Sequence, residues 1–368
     1  MQPTRPAREE LEELVAYDAK DIKADVILAS NENPWNIPAE IISKISSRME
    51  SFKFNRYPDP TAHELRRLIA EANGLDEENV LVGNGGDEII FNLLVSWGGP
   101  GRTILDMPPT FSMYGIDAQV TGTTVVTVPR LADFSIDEDA VLARVAEGDI
   151  DIVVVANPNN PTGGLANESF LIELLKSTDA LVMVDEAYFE FSRHTMRPHM
   201  SRYPNLVLLR TFSKAFSMAG LRVGYLLAQP DVVLEFMKVR QPYSVDSFSQ
   251  MVATTVYRER MVFEQGIREI VRGRDNLHAA LSAMPGVEVF PSESNFVLFR
   301  VEHGAALWRD LLHNHSVLIR DFSRATGLEN CLRVTVGTDD ENRRFIEAMT
   351  DCLAHRPVTA VASREERS

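Results

Sequence analysis

Val153–Gly164 reads V-V-V-A-N-P-N-N-P-T-G-G, and Met183–Tyr188 reads M-V-D-E-A-Y. Each opens as an unbroken apolar run and then breaks into polar, turn-forming residues. A strand with one face in water alternates apolar and polar positions. A run that is apolar at every position belongs to a strand covered on both faces, as in a mostly parallel sheet. Five more short apolar runs appear at Val80–Val82, Thr103–Asp106, Thr124–Val128, Leu206–Arg210 and Val223–Leu227, several of them apolar at consecutive positions. Helical spacing lies between many of them, as in Asp87–Trp97 and Glu168–Lys176, and earlier in Thr61–Ala72, where Leu65, Leu68 and Ile69 share one side. The pattern predicts a three-layer α/β fold around a mostly parallel sheet of about seven strands.

The register changes near residue 255. A polar helix over Val256–Met284 is expected, followed by P-G-V-E-V-F, N-F-V-L-F-R, L-I-R-D-F and C-L-R-V-T-V-G. This reads as a smaller C-terminal α+β domain. Four segments result: an N-terminal arm (1–30) with a short acidic helix near Glu9–Tyr17 and an apolar stretch at Val26–Ala29, a large α/β domain (31–255), the small domain (256–355) and a polar tail (356–368). A chain of 368 residues suits two domains and can bury a large core without staples. Its net charge of −16 disfavours a nucleic acid or an anionic membrane surface as partner. Two cysteines, Cys331 and Cys352, with no C-x-x-C, argue against a disulfide scaffold and a metal site. No apolar run approaches the roughly 20 residues of a membrane span, and no secretory leader is visible, so a cytoplasmic location is the expectation.

The densest chemistry lies in Leu209–Tyr225, L-R-T-F-S-K-A-F-S-M-A-G-L-R-V-G-Y. Lys214 stands among apolar and small residues. A lysine in a low-dielectric, cation-lined pocket loses proton affinity and becomes an amine nucleophile. Thr211, Ser213 and Arg222 nearby suit a dianionic phosphate. Asn157, Asp185 and Lys214 all fall at strand ends, where open α/β sheets collect ligands. They follow one another at intervals of about 30 residues, one β-α unit each. Taken singly, N-P-N-N-P-T-G could be a turn and Asp185 an N-cap. V-G-N-G-G-D-E (Val82–Glu88) adds a strand, a glycine turn and a helix start, which can present amides to an anion.

Together, N-P-N-N-P-T-G, V-D-E-A-Y, T-F-S-K-A-F-S-M-A-G-L-R-V-G-Y and L-R-V-T-V-G-T resemble the fold-type I, pyridoxal-phosphate-dependent aminotransferases. Within them the chain is most similar to histidinol-phosphate aminotransferases, and the resemblance covers nearly its whole length. It implies a PLP-transferase fold with pyridoxal 5′-phosphate as cofactor. Lys214 would form the Schiff base and then carry the proton between Cα and C4′. Asp185 would pair with the pyridine nitrogen; two charges about 4 Å apart at an effective dielectric near 20 interact by roughly 4 kcal/mol, enough to keep that ring protonated. Asn157 and Tyr188 would hydrogen-bond the phenolic oxygen. Gly85, Gly86, Asp87, Thr211, Ser213 and Arg222 would cradle the phosphate. Where the family has P-P-T-Y-x-M-Y, this chain reads P-P-T-F-S-M-Y, so Phe111 keeps the ring stacking and loses a hydroxyl.

The same resemblance implies that Tyr57 reaches the neighbouring subunit's phosphate, making a homodimer with shared sites. Arg333 would grip the substrate α-carboxylate and Arg320 the distal phosphate, although Arg320 could equally sit in a structural ion pair. Tyr17 and Asn33 would belong to segments that close over the site. The implied reaction is transamination of histidinol phosphate with 2-oxoglutarate, in histidine biosynthesis, acting on small amino acid and oxo acid substrates. An aromatic or broad-specificity aminotransferase remains an alternative, and so does a decarboxylase of a phosphorylated amino acid. A transcription regulator on this scaffold would need a basic helix-turn-helix of about 60 residues ahead of the sheet. Only an acidic arm stands there.

Overall fold

The computed structural model describes Arg8, Leu11, Leu14 and residues 22–354. The acidic helix expected near Glu9–Tyr17 and the tail beyond residue 355 lie outside the described residues. Twelve strands are described: β1 (Val26–Leu28), β2 (Val80–Gly83), β3 (Thr103–Asp106), β4 (Thr124–Thr127), β5 (Ile152–Ala156), β6 (Leu181–Asp185), β7 (Leu206–Thr211), β8 (Gly224–Leu227), β9 (Val287–Val289), β10 (Phe296–Val301), β11 (Val317–Asp321) and β12 (Cys331–Thr335).

All seven apolar runs become strands of one sheet, in the order β2-β8-β7-β6-β5-β3-β4. From β7 to β4 neighbours run parallel; β8 is antiparallel to both β7 and β2. Every residue of β5, β6 and β7 is buried. Alternation explains how both faces are covered. Val153, Val155, Val182, Val184, Leu206 and Leu208 pack into one apolar cluster, while Val154, Leu181, Met183, Val207 and Leu209 pack into another with the helices Gly85–Trp97 and Met113–Thr121. Asp185 and Thr211 continue the second parity. Glu186 and Arg210 continue the first and form a buried ion pair at 2.8 Å. Charges this far from water persist only when paired.

The second sheet has the order β1-β11-β12-β10-β9. Its edge strand comes from the N-terminal apolar stretch, β1, parallel to β11. Residues read as an arm are thus built into the sheet, because Val26 and Leu28 find an apolar face there. One expectation needs correcting. Val256–Met284 is not a single helix: one helix runs Ser247–Arg258, a 3-10 turn follows at Arg260–Phe263, and a second helix runs Glu264–Ser282. Asp246 starts the first by accepting from the Ser249 N–H at 2.9 Å. Phe263 interrupts it, since its ring is buried edge-on against Phe216 at 5.5 Å. Helical periodicity in the sequence could not register that break.

Candidate active site

Strand order brings the ends of β5, β6 and β7 side by side. The Asn157 N–H donates to the Asp185 carbonyl at 2.8 Å, and the Glu186 N–H donates to the Leu209 carbonyl at 2.8 Å. Asp185 is 7% exposed. Its Oδ2 accepts from the Tyr114 hydroxyl at 2.6 Å and its Oδ1 from the Ala187 N–H at 3.0 Å. Burial raises this carboxyl to about 6 against the pull of those two donors. No cation among the described residues pairs with it. The Asn157 side chain accepts from the Ala166 N–H at 2.9 Å, which leaves its NH2 available to a ligand. Phe111 packs edge-on to Tyr114, with centroids 5.6 Å apart.

A second group of residues forms a cup. Helix Gly85–Trp97 starts directly after β2, and Gly85 takes φ +79°. Beside it, Arg222 holds φ 52° and its Nη2 bonds Asp87 Oδ2 at 2.6 Å. A side chain at Gly224 is excluded by contact with backbone, and one at Gly85 is strained by its positive φ. A Cβ on Gly85 would stand 2.7 Å from Arg222 Nη2, and one on Gly224 would stand 2.7 Å from the Gly85 carbonyl carbon. The Thr211 hydroxyl donates to Ser213 Oγ at 3.0 Å, and the Ser213 N–H donates to Thr211 Oγ1 at 3.1 Å. Thr211 stands opposite Gly224 in the β7–β8 register, so its hydroxyl, the Arg222 guanidinium and the helix N-terminus are neighbours, a group of donors that suits an anion.

Lys214 follows β7 by three residues, and its Nζ donates to the Ser30 carbonyl at 3.2 Å. Burial, reinforced by the Arg333 guanidinium, lowers this amine to about 8. Arg333, on β12, is buried; it bonds the Asn160 side chain and the Ala29 carbonyl, the latter at 2.9 Å. Tyr188 is buried and takes a hydrogen bond from Asn31 Nδ2 at 2.8 Å. Asn33 donates to the carbonyls of Lys214 and Ala215 at 3.3 and 3.1 Å, so its amide braces the lysine loop.

The family model for class I and II aminotransferases matches residues 23–349. The chain belongs to that family. It is 39% identical over 353 residues to histidinol-phosphate aminotransferase 1 of Carboxydothermus hydrogenoformans, covering 96% of this chain and all of the relative. It is 35% identical over 347 residues to the histidinol-phosphate aminotransferase of Caldanaerobacter subterraneus subsp. tengcongensis, covering 94% and 98%. A crystal structure of the Sinorhizobium meliloti histidinol-phosphate aminotransferase, in complex with pyridoxal-5′-phosphate, superposes with a TM-score of 0.83. That match covers 90% of this chain and 92% of the other at 24% identity, and speaks for the fold.

Most of the residues singled out in this aminotransferase therefore meet around Lys214, from strands distant in sequence. Two lie apart. Tyr57 is 82% exposed and stacks on Tyr243 with centroids 4.8 Å apart. Arg320 is exposed on β11, directly across from Arg333 on β12, with its guanidinium 5.7 Å from the Phe322 ring centre. Arg320 forms no ion pair among the described residues. Tyr17 lies outside them. Sequence reasoning missed Tyr114 and Asn31. Tyr114 sits three residues after Phe111, a helical spacing that placed it on the same side; Asn31 opens N-E-N-P-W (Asn31–Trp35), which reads as turn punctuation and nothing more.

Proposed function

We propose that this aminotransferase moves the amino group of histidinol phosphate to 2-oxoglutarate, forming imidazole-acetol phosphate and glutamate, with pyridoxal 5′-phosphate as cofactor. The residues present fit that cofactor: a buried carboxylate without a cation, an amine of lowered proton affinity and an anion cup where Gly224 admits no side chain. When bound, pyridoxal phosphate supplies an electron sink for charge developing at the substrate Cα. Asp185 holds a proton on the ring nitrogen, and Tyr114 keeps that carboxylate ionised and oriented. Asn157 and Tyr188 donate to the phenolic oxygen. The amides at Gly85–Asp87, with Thr211, Ser213 and Arg222, neutralise the phosphate, and Phe111 covers one ring face. Lys214, whose amine burial lowers to about 8, is the base that would move the proton at the substrate Cα.

The observation that carries the substrate is the pairing of Arg333 with Arg320 across β11 and β12. The two substrates present different anions. Glutamate places a carboxylate on Cα, which one buried guanidinium can clamp; histidinol phosphate places a phosphate dianion one CH2–O further out. A second, exposed arginine in register with the first suits the larger charge. The same reading makes the working enzyme a cytoplasmic homodimer in which Tyr57 completes the partner's phosphate cup. An exposed, stacked tyrosine pair suits such a contact. Among the described residues no helix is long and apolar enough to cross a membrane.

Steady-state assays test the substrate. The expected outcome is a kcat/KM for histidinol phosphate at least 100-fold above those for phenylalanine and unphosphorylated histidinol, as an order of magnitude for a paired phosphate contact. R320Q should erase most of that margin while leaving glutamate turnover within a few-fold. Strong activity on phenylalanine with none on histidinol phosphate would return the reading to an aromatic aminotransferase. Release of carbon dioxide would return it to a decarboxylase.

A further inference from the structure

Tyr188 is held by a residue that no catalytic motif contains. Asn31 is 2% exposed and takes φ 54°, a left-handed conformation that asparagine tolerates better than most side chains. Each of its polar atoms has a partner. Its N–H donates to Thr335 Oγ1 at 2.9 Å, and its carbonyl accepts from Asn295 Nδ2 at 3.0 Å. The Thr335 hydroxyl donates to Asn31 Oδ1 at 3.1 Å, and Asn31 Nδ2 donates to the Tyr188 oxygen at 2.8 Å.

The amide orientation follows from this network. Thr335 Oγ1 already accepts the Asn31 N–H, so its own hydrogen has to go to an oxygen. Turning the amide over would set two donors on Thr335 and leave that hydrogen without an acceptor among the described residues. Tyr188 therefore faces a donor on its Asn31 side, and its own hydrogen points elsewhere. No acceptor for it exists among the described residues.

We propose that Asn31 is a positioning residue for the cofactor: by donating to the Tyr188 oxygen, it turns the Tyr188 hydrogen toward the phenolic oxygen of pyridoxal phosphate. The inference rests on the cofactor placement proposed above. It also ties the second sheet, through Thr335 at the end of β12 and Asn295 just before β10, to the electronic state of a group bound at the first.

Titrating the visible absorbance of the cofactor-loaded protein tests this in wild type, N31D, Y188F and the double variant. A phenolic oxygen that loses a donor becomes more basic and holds the neighbouring proton longer, so Y188F should move the midpoint alkaline by about one pH unit. The carboxylate introduced by N31D accepts where the amide donated and would draw the Tyr188 hydrogen to itself. N31D should then show a similar alkaline shift, and N31D/Y188F no more than Y188F alone. An N31D midpoint equal to wild type would overturn the proposal. So would an N31D shift that is the same with and without the Tyr188 hydroxyl, because that is the field of a new charge. Should N31D not fold, N31A replaces it, with a smaller alkaline shift expected that vanishes in the Y188F background; an unmoved N31A midpoint overturns the proposal equally. A wild-type protein that shows no cofactor band, or one trapped by borohydride at an amine other than Lys214, would overturn the proposed function as well.

Discussion

At Asp185 a carboxylate is kept inside the protein with two hydrogen-bond donors and no cation, an arrangement that disfavours its own charge. Without cofactor it titrates near 6 in the fold, against 3.8 for an ordinary aspartate. The folded state therefore binds more protons than the unfolded chain between those values, and stability falls as pH rises through that window. D185N removes the titration. In the cofactor-free protein, D185N minus wild-type stability should grow by about 2 kcal/mol between pH 4 and pH 7, read from urea midpoints. A difference flat across that range would mean the site is open enough to solvate the charge. Loaded with cofactor in the placement proposed above, the same variant should lose several orders of magnitude in kcat, since the carboxylate that would hold the ring nitrogen's proton is gone.

Between elements, the anion cup depends on how closely β8 can approach the first turn of the helix Gly85–Trp97. A Cβ at Gly224 would meet Gly85 and Gly86 backbone atoms at 2.7 to 3.0 Å, and backbone cannot rotate aside. Gly220 has open space around its Cβ position. G224A should thus cost about 1–3 kcal/mol in thermal unfolding and weaken cofactor binding at least tenfold, whereas G220A should leave both nearly unchanged. Equal effects from the two would show that flexibility, and not close approach, is what glycine supplies here. The strands themselves were legible because continuous apolar runs admit few structures: β5, β6 and β7 are buried throughout, and polar residues enter only at their carboxyl ends, as Asp185, Arg210 and Thr211. The break between the helices Ser247–Arg258 and Glu264–Ser282 was not, because it is imposed by Phe263 seeking Phe216, a contact 47 residues away in the chain.

For the whole molecule, Tyr57 offers the test of whether a single chain is a complete enzyme. Its ring lies on the surface, stacked against Tyr243. Mixed, dissociated and reassociated, K214A and Y57A chains should recover activity that neither has alone. Each heterodimer would carry one site with both groups intact, on the order of a quarter of all sites at equal mixing. No recovery, with heterodimers confirmed by mass spectrometry, would confine the site to one subunit.

Residue by residue, the chain alone determined that seven strands form one sheet and that Asn157, Asp185 and Lys214 sit at neighbouring strand ends. Local periodicity and turn chemistry carry that information, and a parallel sheet converts spacing along the chain into adjacency. Only the tertiary structure decided what stands behind those residues. Tyr114 reaches Asp185 across 71 positions and Asn31 reaches Tyr188 across 157. Such contacts follow from how whole sheets and helices settle against one another, and a hydrogen bond of 2.6 to 2.8 Å is set by packing that no short stretch of sequence encodes.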